Sequence, residues 1–124
     1  MTLDYLDFDY SEDAEGTGTW DAMASVRPER LGALHAEIAR VLAWAHRTFA
    51  GRQGPCEDGG DWDYDLQAQA EDGTPLRLAY DATRGYLDAE AAPGGGRTTV
   101  TLSLSGSAAF GEALREAFDL GDAA

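Results

Sequence analysis

Three aspartates at alternate positions, Asp61, Asp63 and Asp65, form a group of candidate metal ligands. Hard divalent cations take several carboxylate oxygens. The spacing does not match a calcium-binding helix-loop-helix. Leu66 stands where that loop needs a turn-forming glycine, and Asp72 stands where it needs a bidentate glutamate. Read as a strand, the run places all three carboxylates on one face, about 7 Å apart. A hairpin that continues to Tyr80 then brings Asp81 opposite Asp63 or Asp65, and like charges across a ladder repel. A cation held by Asp63, Asp65 and Asp81 relieves that repulsion and defines a structural or hydrolytic metal site. The competing reading is an acidic face solvated by water, and ordinary salt screening favours it.

Other chemistry is thin. All nine basic residues are arginine, and the absence of lysine removes phosphate-cradle and Schiff-base chemistries that depend on it. The single cysteine, Cys56, precedes Glu57 and Asp58, which disfavour a thiolate. His35 and His46 lie about 16 Å apart along one helix and cannot share a metal. His35 falls at the edge of the core and His46 at its boundary. The Gly51–Gly54 spacing and the Gly94–Gly96 run do not open helices, so neither makes a phosphate loop. No catalytic residue and no cofactor emerge from this inventory.

The elements that position these residues follow from two periodicities. Leu6, Phe8 and Tyr10 alternate with acids, and Trp20, Ala22, Ala24 and Val26 alternate with polar residues, which reads as an opening hairpin. Pro28 starts a helix of about 20 residues whose apolar stripe runs from Leu31 to Phe49, with Gly51 after its end. A second hairpin is expected around Asp72-Gly73, through a three-residue loop with Gly73 at positive φ. It pairs Ala68 with Leu76, Leu66 with Leu78 and Tyr64 with Tyr80. Leu87 and Ala89 then face inward, setting Arg77 opposite Glu90. Val100, Leu102 and Leu104 make a last strand. Phe110, Leu114, Ala117 and Phe118 lie on a closing helix capped by Ser105 or Ser107.

The order is ββαββββα. It predicts one α+β domain over residues 1–124, an antiparallel sheet of about six strands with both helices on one face. The other face is expected to carry Asp7, Asp9, Asp21, Asp63, Asp65, Asp81, Asp88 and Glu90.

Charge selects the partners. With 23 acidic residues and a net charge of −14, nucleic acid and anionic membranes are poor partners. No apolar run reaches the roughly 18 residues that span a bilayer. Met1–Tyr10 has no basic leader region, and one cysteine allows no internal disulfide, so a cytoplasmic protein is expected. The heavy use of Ala and Gly with one Ile suggests a GC-rich bacterial genome. Segment 27–52 holds five Arg against two Glu, a surplus of three positive charges. There Arg40, Trp44 and Arg47 share one side of the helix, a pattern that fits an interface or a core edge, including a homo-oligomer contact.

These features lead to a non-catalytic module of the adaptor, inhibitor or immunity type. Its acidic sheet face, with Asp7, Asp9, Asp63, Asp65, Asp81 and Asp88, meets a basic protein. The alternatives are the divalent-cation site or metal-dependent hydrolase at Asp63, Asp65 and Asp81, and an acidic mimic of nucleic acid.

Overall fold

The computed structural model describes residues 3–54, 59–92 and 94–120. In chain order the elements are β1 (Asp9–Glu12), β2 (Gly18–Val26), α1 (Pro28–Thr48), β3 (Trp62–Ala70), β4 (Pro75–Leu76), β5 (Leu78–Asp81), β6 (Tyr86–Ala89), β7 (Thr98–Gly106) and α2 (Ala108–Ala117). Three nine-residue strands form the centre. β7 lies between β2 and β3, antiparallel to both, and β1 and β4 complete a five-stranded sheet in the order β1-β2-β7-β3-β4. A separate two-stranded sheet pairs β5 with β6. The expected α+β fold is therefore present.

Strict alternation decides which side of the sheet is covered. Along β7, Thr98, Val100, Leu102, Leu104 and Gly106 are buried, and the residues between them are half-exposed. Along β2, Trp20, Ala22, Ala24 and Val26 are buried, while Asp21, Met23 and Ser25 are exposed. Leu34, Ile38, Val41, Leu42 and Ala45 of α1, with Phe110 and Leu114 of α2, share one core with these strand residues. Both helices thus lie on one face. Pro28 occupies the first turn of α1, and the Ser107 hydroxyl accepts from the Phe110 N–H at 3.3 Å to cap α2.

Two tight turns share one construction. Asp13 N–H donates to the Thr17 carbonyl and Gly16 N–H to Asp13; likewise Ala70 N–H donates to Thr74 and Gly73 N–H to Ala70. Each turn has a three-residue loop whose last residue is in the left-handed region, Gly16 at φ +86° and Gly73 at φ +89°. The expected loop at Gly73 and the Ala68–Leu76 pair are present.

The expected continuation of that hairpin is not. Leu78 pairs with Ala89 and Tyr80 with Leu87, so neither pairs with β3. The strand breaks at Arg77, whose main chain is taken by Glu90: Arg77 N–H donates to Glu90 Oε1 at 2.9 Å, and Glu90 N–H donates to the Arg77 carbonyl at 2.8 Å. The expected opposition of Arg77 and Glu90 is real. Past this point the β5–β6 hairpin runs beside α1. Tyr80 stacks on His46 at 5.5 Å, and Leu87 borders an open groove with His35, Ala39 and Ala43. Covering the flank of α1 with Tyr80 and Leu87 wins over extending the sheet.

The core is unusually aromatic at one end. Phe110 lies within 6 Å of the rings of Trp20, Trp44, Phe49 and Trp62. Two glycines make room. A Cβ at Gly106 would sit 2.4 Å from the Phe110 ring, and one at Gly111 would sit 2.7 Å from the Trp20 ring.

Candidate functional site

The sheet face opposite the helices is uncovered: Asp9, Asp21, Met23 and Asp65 on it are exposed. Register places its side chains in rows across the strands. Asp9 is opposite Asp21, Asp21 opposite Ser103, and Ser103 opposite Asp65. With strands about 4.8 Å apart, that row spans about 14 Å. The next row toward the Gly18–Gly106 end holds Ser11, Thr19, Ser105 and Asp63. On the other side come Met23, Thr101 and Gln67, then Ser25, Thr99, Gln69 and Pro75. The face therefore has an acidic end and an end whose strand side chains are uncharged, where Arg97 donates to the Ser25 carbonyl at 2.9 Å. Met23, 68% exposed, is the main apolar group on it.

Local hydrogen bonds hold the acids in place. The Ser103 hydroxyl donates to Asp21 Oδ1. Asp63 Oδ1 accepts from Gln53 Nε2 at 3.1 Å and from the Tyr64 N–H at 2.9 Å. Asp65 Oδ2 accepts from Gln67 Nε2 at 2.8 Å. These are neutral donors, so they orient the carboxylates without cancelling their charge. Asp7 precedes β1 and is exposed; Asp9 is exposed on β1 itself.

Asp81 and Asp88 do not belong to this face. Asp81 is on β5, with Tyr86 as its cross-strand partner. Its Oδ1 accepts from the N–H groups of Thr83 and Arg84, each at 3.0 Å, which makes it a turn cap. Asp88 is paired with Arg77 at 2.9 Å. The expected approach of Asp81 to Asp63 and Asp65 required β5 to continue along β3, and the break at Arg77 prevents it. Among the described residues, no three His, Cys, Asp or Glu side chains gather in a way that could hold a metal ion. Cys56, with Glu57 and Asp58, lies outside the described residues.

Of the two readings of Arg40, Trp44 and Arg47, interface or core edge, Trp44 takes the core edge. Trp44 turns its ring into the aromatic core, 5.4 Å from Phe118, 5.8 Å from Phe110 and 6.1 Å from Phe49. It serves as a core-edge group, and Arg40 and Arg47 remain exposed without it between them. Arg40 reaches back to within 3.8 Å of Glu37.

Glu37 is the acid that the spacing of apolar residues did not single out. It is 1% exposed, on the core side of α1. Its carboxylate accepts from the backbone N–H groups of Asp4, Tyr5 at 2.9 Å and Leu6 at 2.7 Å. A buried carboxylate needs such donors. Here they come from the segment leading into β1, which Glu37 clamps onto α1. The only sequence signal was an acid amid Leu34, Ile38 and Val41 on the apolar stripe.

His46 lies among Trp62, Tyr64 and Tyr80. Burial pushes its pKa down, and the same cause lowers that of His35. Burial raises the Tyr64 phenol, helped by Asp63 and Tyr80. The His46 Nε2 and the Trp62 Nε1 are buried without a hydrogen-bond partner. The three rings pack against His46 at 5.0, 6.3 and 5.5 Å. Open grooves lie elsewhere on the described residues. One of about 380 Å³ runs beside Met23, Gln67, Gln69 and Thr101 on the open face, away from its acidic end.

Compared with protein-family models, curated proteins and solved structures, the chain matches none. Nor is any helix among the described residues long and apolar enough to cross a membrane.

Proposed function

We propose that this protein acts by binding another protein that presents a basic surface, through the open face of the five-stranded sheet. The observation that carries the reading is the row Asp9, Asp21, Ser103 and Asp65, flanked by Asp63 and set beside the exposed Met23. Exposed acids of one sign on a flat face attract a basic partner and speed its approach. Met23 supplies an adaptable apolar contact next to them, and methionine is enriched at interfaces. The adaptor, inhibitor or immunity type of module fits such a face, working in the cytoplasm.

The test is association with the partner captured from native extract by the wild-type protein, purified and measured by surface plasmon resonance. The partner should be basic. Replacing Asp9, Asp63 and Asp65 together by Lys should slow association about tenfold or more at low salt and leave the melting temperature close to wild type. An association rate indifferent to both salt and the triple substitution would end the reading.

A further inference from the structure

We propose that β1 is a docking edge, to which the partner adds an extended segment as a further strand of the sheet. The segment alternates Arg or Lys with apolar residues. This rests on the reading that the acidic side of the sheet meets a basic protein, and it specifies how.

The two edges of the sheet differ. β4 is two residues long and begins with Pro75, which has no N–H to offer; such an edge resists strand addition. β1 is paired on one side with β2, and no described strand lies on its other side. The Asp13 N–H bonded to Thr17 at 3.0 Å fixes the phase of the ladder. Alternation in an antiparallel pair then directs the main-chain groups of Asp13, Ser11 and Asp9 at β2. Those of Tyr10 and Glu12 point away from the sheet, ready for another strand.

The edge is also held in shape before anything binds. The Tyr5 and Leu6 N–H groups are fixed by Glu37 just upstream, and the Tyr10 ring packs 5.0 Å from Trp20. Less ordering remains to be done on association.

Charge selects the occupant. Residues 1–26 contain seven acids and no base. Two copies of this edge would oppose acid to acid, so a second copy is disfavoured. On a strand added beside β1, one set of alternate side chains falls on the open face next to Asp9 and Ser11, where Arg or Lys pairs with Asp9. The other set falls on the covered side, where Tyr10 is half-buried against the core and Glu12 is exposed at the end of the strand. That is the alternating basic and apolar pattern.

The probe is an end-blocked octapeptide alternating Arg and Val, added at low ionic strength to the isotopically labelled protein. Amide hydrogen exchange is read by NMR. Tyr10 and Glu12 should exchange about tenfold more slowly with the peptide bound, while Asp9 and Ser11, already bonded to β2, should change little. A peptide with Glu in place of Arg should not bind. Asp9→Asn should weaken the Arg–Val peptide about fivefold. Glu12→Pro removes an outward N–H without touching the β2 ladder, and it should abolish the protection of Tyr10. Binding that shifts Asp21, Ser103 and Asp65 without protecting Tyr10 and Glu12 would overturn strand addition and leave the acidic-face reading standing. No binding of the Arg–Val peptide at low salt would overturn both.

Discussion

The two faces of the central sheet are made by the same strands and have opposite physical characters. On β7, Val100, Leu102 and Leu104 are fully buried, while Thr101, Ser103 and Ser105 between them look outward. The covered face meets two helices and a cluster of aromatic rings. The open face meets water and carries acids opposite acids. Stability is concentrated on the first, and the second accepts a local cost in repulsion to present charge. Acids make the contrast sharpest. Glu37 is buried and satisfied by three backbone donors, whereas Asp9 and Asp21 are exposed and face each other.

The contrast can be broken most strongly at Phe110, which touches four other aromatic rings from β2, α1, β3 and the end of α1. Phe110→Ala should cost about 3–5 kcal/mol of unfolding free energy in urea denaturation. A loss below about 1 kcal/mol would show that the aromatic end does not anchor the covered face. Glu37→Ala should cost less, about 2–3 kcal/mol, because it strands the N–H groups of residues 4–6. Hydrogen exchange at Leu6 should accelerate before that of Leu102; equal acceleration would mean that the segment is not clamped by this acid. The smallest effect is expected on the open face. Asp9→Asn removes one of two opposed charges and should raise stability by about 0.5 kcal/mol at low salt, an increment that shrinks as salt is added. A clear destabilisation would show that Asp9 is held by contacts and does not simply repel Asp21.

Much of the fold was legible from local rules. The alternation of β2, β3 and β7, the stripe on α1, a cap at Ser105 or Ser107 and the loop at Gly73 each reflect preferences acting within a few residues. The break at Arg77 was not legible, because residues 76–80 have a sound strand pattern on either side of it. Whether Leu78 and Tyr80 pair with β3 or turn to α1 depends on how much of the helix flank is left bare, which is a property of the assembled molecule. The candidate site was affected accordingly. Asp9, Asp63 and Asp65 lie on the open face as their spacing implied, while Asp81 and Asp88 left it with the hairpin. Trp44 followed its ring into the core.

Charge, the periodicity of each element and hence which side chains share a face follow from residue order alone. Those are set by chain geometry that repeats every two or 3.6 residues. Which strands are neighbours, that Asp9 and Asp65 end one row, that β1 is an edge among the described strands, and that Glu37 meets the chain at residues 4–6 are set by folding. These contacts join residues far apart in sequence, and they form where packing of the whole core leaves room for them.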